Sequence, residues 1–315
     1  MESYQQVRLP TPSLDISEVK QLVSQKSRNV LHLLLFSSTY VGCAGAGIAY
    51  LSSLLQGIPP NPACVLIPFL VIFSVYNLNR GTDETEDAIN HQERFAFTKS
   101  HERHLTMAAL VGYAGALLLS SLHGTAAFLV TMIPLVAGVL YSVPIFPAFL
   151  PFRRLKEIPL GKNITVSLSW ALTLTLLPST LSGVPLGFGT GVSFFFFLNW
   201  AIVASILPDI RDREGDAIAG ICTLPVLLGE HRTLRLLTGW NLIMGVGVIY
   251  AAGSLLSRFW IVLMAGSIVY TAACIWAFLS LDHRDLLCDL FSDGQFLLIA
   301  MVVAVLLPII GVGGT

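Results

Sequence analysis

A chain of 315 residues that is 54% hydrophobic and 12% charged, with a mean hydropathy of +0.74, carries about half the charge of an ordinary soluble domain and is not one. Its 18 Lys and Arg against 19 Asp and Glu exclude a dominant basic face for nucleic acid and an acidic solvating tail. Five cysteines, Cys43, Cys64, Cys222, Cys274 and Cys288, show no CxxC spacing, so neither a disulfide framework nor a zinc site follows.

Residues 1–28 are polar, with acids beside bases, and lack the basic start, short apolar core and small-residue cleavage site of a signal peptide. They read as a cytosolic tail. Beyond them, apolar runs of the length needed to cross a bilayer recur at 29–55, 60–79, 105–122, 125–143, 158–181, 188–208, 234–255, 258–281 and 293–313. The expectation is an all-α polytopic membrane protein, with nine transmembrane helices surrounding a central cavity open to the cytosolic side. Residues 29–315 form one such domain. Gly42, Gly45 and Gly47 in the first run suit close approach of a neighbouring helix.

Loop charge gives the orientation, because Lys and Arg in short loops stay cytosolic. Counted over the nine runs, 17 of the 18 basic residues fall on one side and only Arg258 on the other. That side is the cytosol. An odd number of spans then carries the C-terminus to the opposite face, and the longer cytosolic loops are where function is expected.

Two acidic stripes stand at cytosolic helix ends. The second run closes on Asn79, Asp83 and Asp87, spaced by four, and the sixth on Asp209, Asp212 and Asp216, spaced by three and four. On a helix each set lines one face. Like charges stacked this way repel by a few tenths of a kcal/mol per pair, about 0.2–0.5, unless a cation occupies them. Carboxylate and amide oxygens are hard ligands suited to Mg²⁺, which shares its sphere with substrate phosphates. Two stripes on one membrane face therefore point to metal ions clamping a diphosphate. Arg94, Arg153, Arg154, Lys156 and Lys162 lie in the same loops and helix starts and supply cationic contacts. Lys162, already inside an apolar run, calls for an anionic partner.

These residues resemble the UbiA superfamily of intramembrane prenyltransferases, whose pattern is nine helices with an NxxxDxxxD stripe at the second and a DxxDxxxD stripe at the sixth. The stretch 220–229, and Tyr141-Ser142 followed by Arg153-Arg154, resemble further elements of that family. Arg80 after Asn79, and Phe95 after Arg94, depart from its frequent pattern. The resemblance implies that an isoprenyl diphosphate binds through Mg²⁺ and ionises, and that its allylic cation alkylates an aromatic or lipophilic acceptor within the membrane. It implies catalytic Asp83, Asp87, Asp212 and Asp216. Metal ligation falls to Asn79, Asp83, Asp87, Asp209, Asp212 and Asp216, and substrate contact to Arg94, Arg153, Lys156, Lys162, Tyr141 and Ser142. Rings such as Tyr76, Tyr141, Trp170 and Trp200 would face a cation.

Two other functions fit part of this pattern. Without an acceptor pocket the same ionisation ends in cyclisation, as in a membrane terpene cyclase. Intramembrane carboxylates also mark the ion paths of transporters, although here the acids gather at one face. A CDP-alcohol phosphotransferase is disfavoured by the absence of a DGxxAR sequence. Asp282, Asp285, Asp289 and Asp293 read as loop and helix-start residues, with Asp285 or Asp289 as minor candidates for substrate contact.

Overall fold

The structure, a computed structural model, describes residues 29–82, 84–142, 147, 149, 152, 153, 155, 158, 160–218, 220–253, 256–279 and 284–310. The N-terminal tail, Asp83, Arg154, Lys156, Asp282 and the C-terminal 311–315 lie outside the described residues.

Among the described residues every regular element is helical. The chain runs through α1 (Asn29–Phe36), α2 (Thr39–Leu55), α3 (Pro62–Thr82), α4 (Glu84–Asn90), α5 (Gln92–Ser100), α6 (Glu102–Ser121), α7 (Thr125–Ser142) and α8 (Gly161–Ser182). It continues with α9 (Phe188–Arg211), α10 (Arg213–Ile218), α11 (Leu224–Leu228), α12 (Glu230–Ala252), α13 (Arg258–Ala277), α14 (Arg284–Leu286), a π-helical turn (Leu287–Ser292) and α15 (Asp293–Ile310). Within the described residues each of the nine apolar runs falls on a helix or helix pair. Among the described residues seven helices are long and apolar enough to cross a membrane; α1 and α2 together make an eighth, bent by 66°; α7 is apolar but shorter over Thr125–Leu140. The protein is an integral membrane protein.

Neighbours in sequence are mostly neighbours in space: α2 packs on α3, α3 on α6, α7 on α8, α8 on α9, α9 on α12 and α12 on α13. Contact between α15 and α2 joins the two ends of the series. Small residues make these approaches possible. A Cβ at Gly45 would collide with Ile72 of α3, and one at Gly47 would stand 2.9 Å from the carbonyl oxygen of Phe296 in α15. The outward faces carry Val111, Leu118, Ile243 and Val262, all exposed, as lipid contact requires.

Many polar side chains inside the bundle are paired, since an unpaired one would find no water. Gln56 at the end of α2 donates to the Thr175 carbonyl at 2.9 Å and accepts from Ser179 at 2.6 Å and Thr190 at 2.9 Å. Asn199 donates to Asn241, which donates to the Ile268 carbonyl, each at 3.0 Å. From α6 the Tyr113 hydroxyl donates to the Thr131 carbonyl of α7 at 2.8 Å and accepts from the Leu135 amide at 3.1 Å. It thus stands in for a ladder bond beside Pro134, whose ring interrupts the helix.

Candidate active site

The two acidic stripes converge. Asn79 stands near the end of α3 and Asp87 within α4, while the second stripe is divided at Asp212, where α9 ends and α10 begins. Asn79, Asp87, Asp209, Asp212 and Asp216 nevertheless line one cavity of about 300 Å³, together with Arg94 and Lys162. Its walls come from α3, α4, α5, α7, α8, α9, α10, the π-helical turn and α15. Asp83 falls between the described ends of α3 and α4.

A close approach of α4 and α10 holds the two stripes together. A Cβ at Gly215 would collide with the side chain of Asn90, so glycine at this position lets the short helices meet without displacing it. Asn90 itself lines the cavity.

The charges inside are heavily cross-linked. Lys162 Nζ donates to Asp209 Oδ1 at 2.6 Å, and Asn163 Nδ2 to Asp209 Oδ2 at 2.7 Å. Both oxygens of a carboxylate that is 1% exposed are thereby engaged from the start of α8. The anionic partner expected for Lys162 includes this side chain. Arg94 donates to Asp87 Oδ1 at 2.8 Å.

Arg211 is the hub of the opposite wall. Its Nε and Nη2 donate to the two oxygens of Asp212 at 2.8 and 3.1 Å, and its Nη1 to Asp289 at 3.1 Å. It also lies 3.2 Å from Asp285 and 2.9 Å from His91 Nε2, and His91 Nε2 is 3.3 Å from Asp212. Burial opposes ionisation of Asp212, but hydrogen bonds from His91 and Arg211 overcome it and hold the carboxyl well below the usual carboxylate range. Asp216 has no such fork. Burial pushes its carboxyl up to about 6, with Lys162 opposing and the nearby Asp209 and Asp212 adding to the rise. Its Oδ2 is buried without a hydrogen-bond partner.

An apolar pocket of about 50 Å³ opens from the same centre, lined by Val41, Ala44, Gly45, Ile48, Ile72 and Leu174 among others. Tyr76 and Trp170 border both spaces and stack with ring centroids 6.1 Å apart.

Other expected residues lie elsewhere. Arg153 is exposed and is not part of the described cavity wall. Tyr141 and Ser142 belong to the last turn of α7, and their side chains are outside the described residues. Arg80 lines the cavity and donates to the carbonyls of Phe36 and, at 3.4 Å, Leu35. The cation thus sits at the C-terminal end of α1, where free carbonyls and the helix dipole favour it. With Asn77, which donates to the Ser37 carbonyl at 3.0 Å, it secures the bend between α1 and α2. The sequence motifs do not single out His91, Asn163, Arg211 or Asp293 for the site, and they leave Asp289 only as a minor candidate for substrate contact. His91 had a visible signal, since it continues the spacing of four from Asn79 through Asp83 and Asp87.

The UbiA prenyltransferase family matches residues 33–310. The chain belongs to this family. Among its relatives, digeranylgeranylglyceryl phosphate synthase of Pyrococcus furiosus is 30% identical over 196 residues, which cover 61% of this chain and 64% of that enzyme. The 2-acyl-4-prenylphloroglucinol 6-prenyltransferase of Humulus lupulus is 30% identical over 130 residues, covering 36% of this chain and 28% of the relative. The chain therefore matches less than two thirds of the length of either relative. A UbiA homolog from Archaeoglobus fulgidus, solved bound to GPP and Mg²⁺, superposes with a TM-score of 0.58 at 18% identity, over 87% of this chain and 97% of that one. The apo UbiA homolog from Aeropyrum pernix gives 0.63 at 15% identity, over 84% and 98%. At these identities the likeness establishes a shared fold for this family member.

Proposed function

We propose that this protein transfers an isoprenyl group from an isoprenyl diphosphate to a lipophilic acceptor within the membrane, in a Mg²⁺-dependent reaction. The observation that carries the reading is the convergence of Asp87 with Asp212 and Asp216, from motifs more than a hundred residues apart in sequence, on one cavity that adjoins an apolar pocket. Family membership and the GPP, DMAPP and Mg²⁺ bound by the Archaeoglobus homologue support it.

The donor set fits the ion. Carboxylate oxygens and the Asn79 amide are hard ligands, and Asp216 Oδ2 is a buried acceptor without a hydrogen-bond partner among the described residues. Asn79, Asp83, Asp87, Asp212 and Asp216 would hold Mg²⁺, with Asp209 ligating or supporting them through Lys162 and Asn163. Bound there, Mg²⁺ would supply neutralisation of the charge that develops on the departing diphosphate. Arg94 and Lys162 add cationic donors to the same anion, and Arg153, Lys156, Tyr141 and Ser142 are assigned to the substrate by family resemblance. The apolar pocket takes the hydrocarbon chain. The stacked Tyr76 and Trp170 present π faces where an allylic cation would form and keep water from it. We place the cavity mouth, the N-terminus and the basic loops on the cytosolic side of nine crossings, with residues 29–315 as one catalytic domain and 1–28 as its tail.

The test uses purified protein in nanodiscs with labelled geranyl, farnesyl and geranylgeranyl diphosphates, Mg²⁺ or EDTA, and a membrane extract as acceptor source. Diphosphate release should require Mg²⁺ and disappear in Asp83→Ala and Asp212→Ala, while the labelled product separates transfer from cyclisation. Failure to bind or consume any isoprenyl diphosphate overturns the proposal.

A further inference from the structure

The polar cavity and the apolar pocket share Tyr76, Val166, Trp170, Ala204, Ser205 and Asp293 in their walls. Asp293 carries the only carboxylate among these six. It therefore stands where the diphosphate end of a bound isoprenoid gives way to its hydrocarbon chain, the region in which the new bond to the acceptor must form.

The backbone around Asp293 is held with unusual care. It is the first residue of α15 and directly follows the π-helical turn Leu287–Ser292. Three consecutive carbonyls ahead of it accept bonds from three different helices. Tyr40 of α2 donates to Leu290 at 2.8 Å, Tyr270 of α13 to Phe291 at 3.1 Å, and Trp200 of α9 to Ser292 at 3.2 Å. Gly294, the next residue, lies so close to the Tyr40 hydroxyl that a Cβ there would collide with it. Single π turns disturb helix packing and occur frequently at functional sites, and this one fixes where the Asp293 side chain enters the cavity.

Four of the other cavity acids are already engaged: Asp289 with Arg211, Asp212 with Arg211 and His91, Asp209 with Lys162 and Asn163, and Asp87 with Arg94; Asp216 lines the polar cavity but not the apolar pocket. Among the described residues no hydrogen bond or ion pair takes up the Asp293 carboxylate. Alkylation of an acceptor creates a need for such a group. The allylic C–O bond breaks with its electron pair leaving on diphosphate, an electron pair of the acceptor forms the new bond to that carbon, and the alkylated atom must shed the proton it carried.

Resting on the prenyl-transfer reading, we infer that Asp293 is the catalytic base that accepts this proton from the acceptor. The acceptor is accordingly a molecule whose nucleophilic atom bears a hydrogen, a hydroxyl or an aromatic C–H, and it meets the isoprenoid from the α15 side.

The full-length protein in nanodiscs, with Mg²⁺, labelled geranylgeranyl diphosphate and a total membrane-lipid extract, tests this in Asp293→Asn and Asp293→Glu. Affinity for geranylgeranyl S-thiolodiphosphate, which ionises poorly, is measured alongside. In Asp293→Asn, analogue affinity should stay within twofold of the unmodified protein, labelled lipid product should form about 100-fold or more slowly, and the diphosphate still released should be matched by geranylgeraniol. Asp293→Glu should restore part of the product. Product formation within threefold of the unmodified protein in Asp293→Asn overturns the assignment, and so does parallel loss of analogue binding. If the unmodified protein releases no diphosphate, prenyl transfer itself fails, a result distinct from an active protein indifferent to Asp293.

Discussion

Lys162→Met keeps the apolar stem of the side chain and removes only its ammonium, leaving the buried Asp209 with Asn163 as its remaining hydrogen-bond donor. At 2.6 Å and an effective dielectric of about 20, the attraction lost is on the order of 6 kcal/mol. Part of this is returned, because an ammonium whose side chain is 29% exposed competes with water for its partner. The net cost should fall near the lower end for breaking a buried pair, about 3 kcal/mol. Asp209→Asn, which replaces the carboxylate by a neutral amide, should cost about 1–2 kcal/mol, and the double variant should recover about 2 kcal/mol of the summed loss. Denaturant unfolding of the four proteins in nanodiscs with EDTA gives the cycle. Additivity within about 0.5 kcal/mol would refute the structural pairing. If Lys162→Met instead left stability intact and raised only the KM for isoprenyl diphosphate, Lys162 would serve the ligand rather than Asp209.

Arg211→Met removes the fork that orients Asp212 and should raise the Mg²⁺ concentration for half-maximal diphosphate release by about 10- to 100-fold; an unchanged Mg²⁺ dependence argues against Asp212 as a ligand. Asp216, whose carboxyl is pushed up to about 6, binds more protons folded than unfolded. The metal-free protein should therefore lose stability as pH rises from about 4 to 6. Mg²⁺ must displace that proton, so its affinity should fall about tenfold per pH unit below 6 and level off above 7, as read by calorimetric titration at pH 5, 6 and 7.5; a flat profile rejects Asp216 as a ligand. Gly215→Ala should cost about 1–3 kcal/mol by forcing α10 away from Asn90 of α4. Thermal unfolding should show rescue by Asn90→Ala in the same chain, and the absence of rescue would place the strain elsewhere.

The sequence by itself determined the solvent, the positions of the apolar helices and the acidic stripes at their ends. These are local properties: a run of about 20 apolar residues has no better environment than lipid, and repeated acids at helical spacing stand out in so apolar a chain. The spacing of four also singled out Asn79 and Asp87, both of which line the cavity. Which charges meet was decided only in three dimensions. Nothing in Gly161-Lys162-Asn163 distinguishes a ligand-facing lysine from one paired with a carboxylate 47 residues away, and nothing near Arg211 announces Asp289, 78 residues on. Asp293 reads as an ordinary helix start until the π-helical turn, gripped by Tyr40, Trp200 and Tyr270, sets it between the polar cavity and the apolar pocket. Hydrogen bonds and ion pairs between distant helices depend on the angle and rotation of each helix against its neighbours, and those are fixed by packing at residues such as Gly45, Gly47 and Gly215 rather than by any pattern within a single segment.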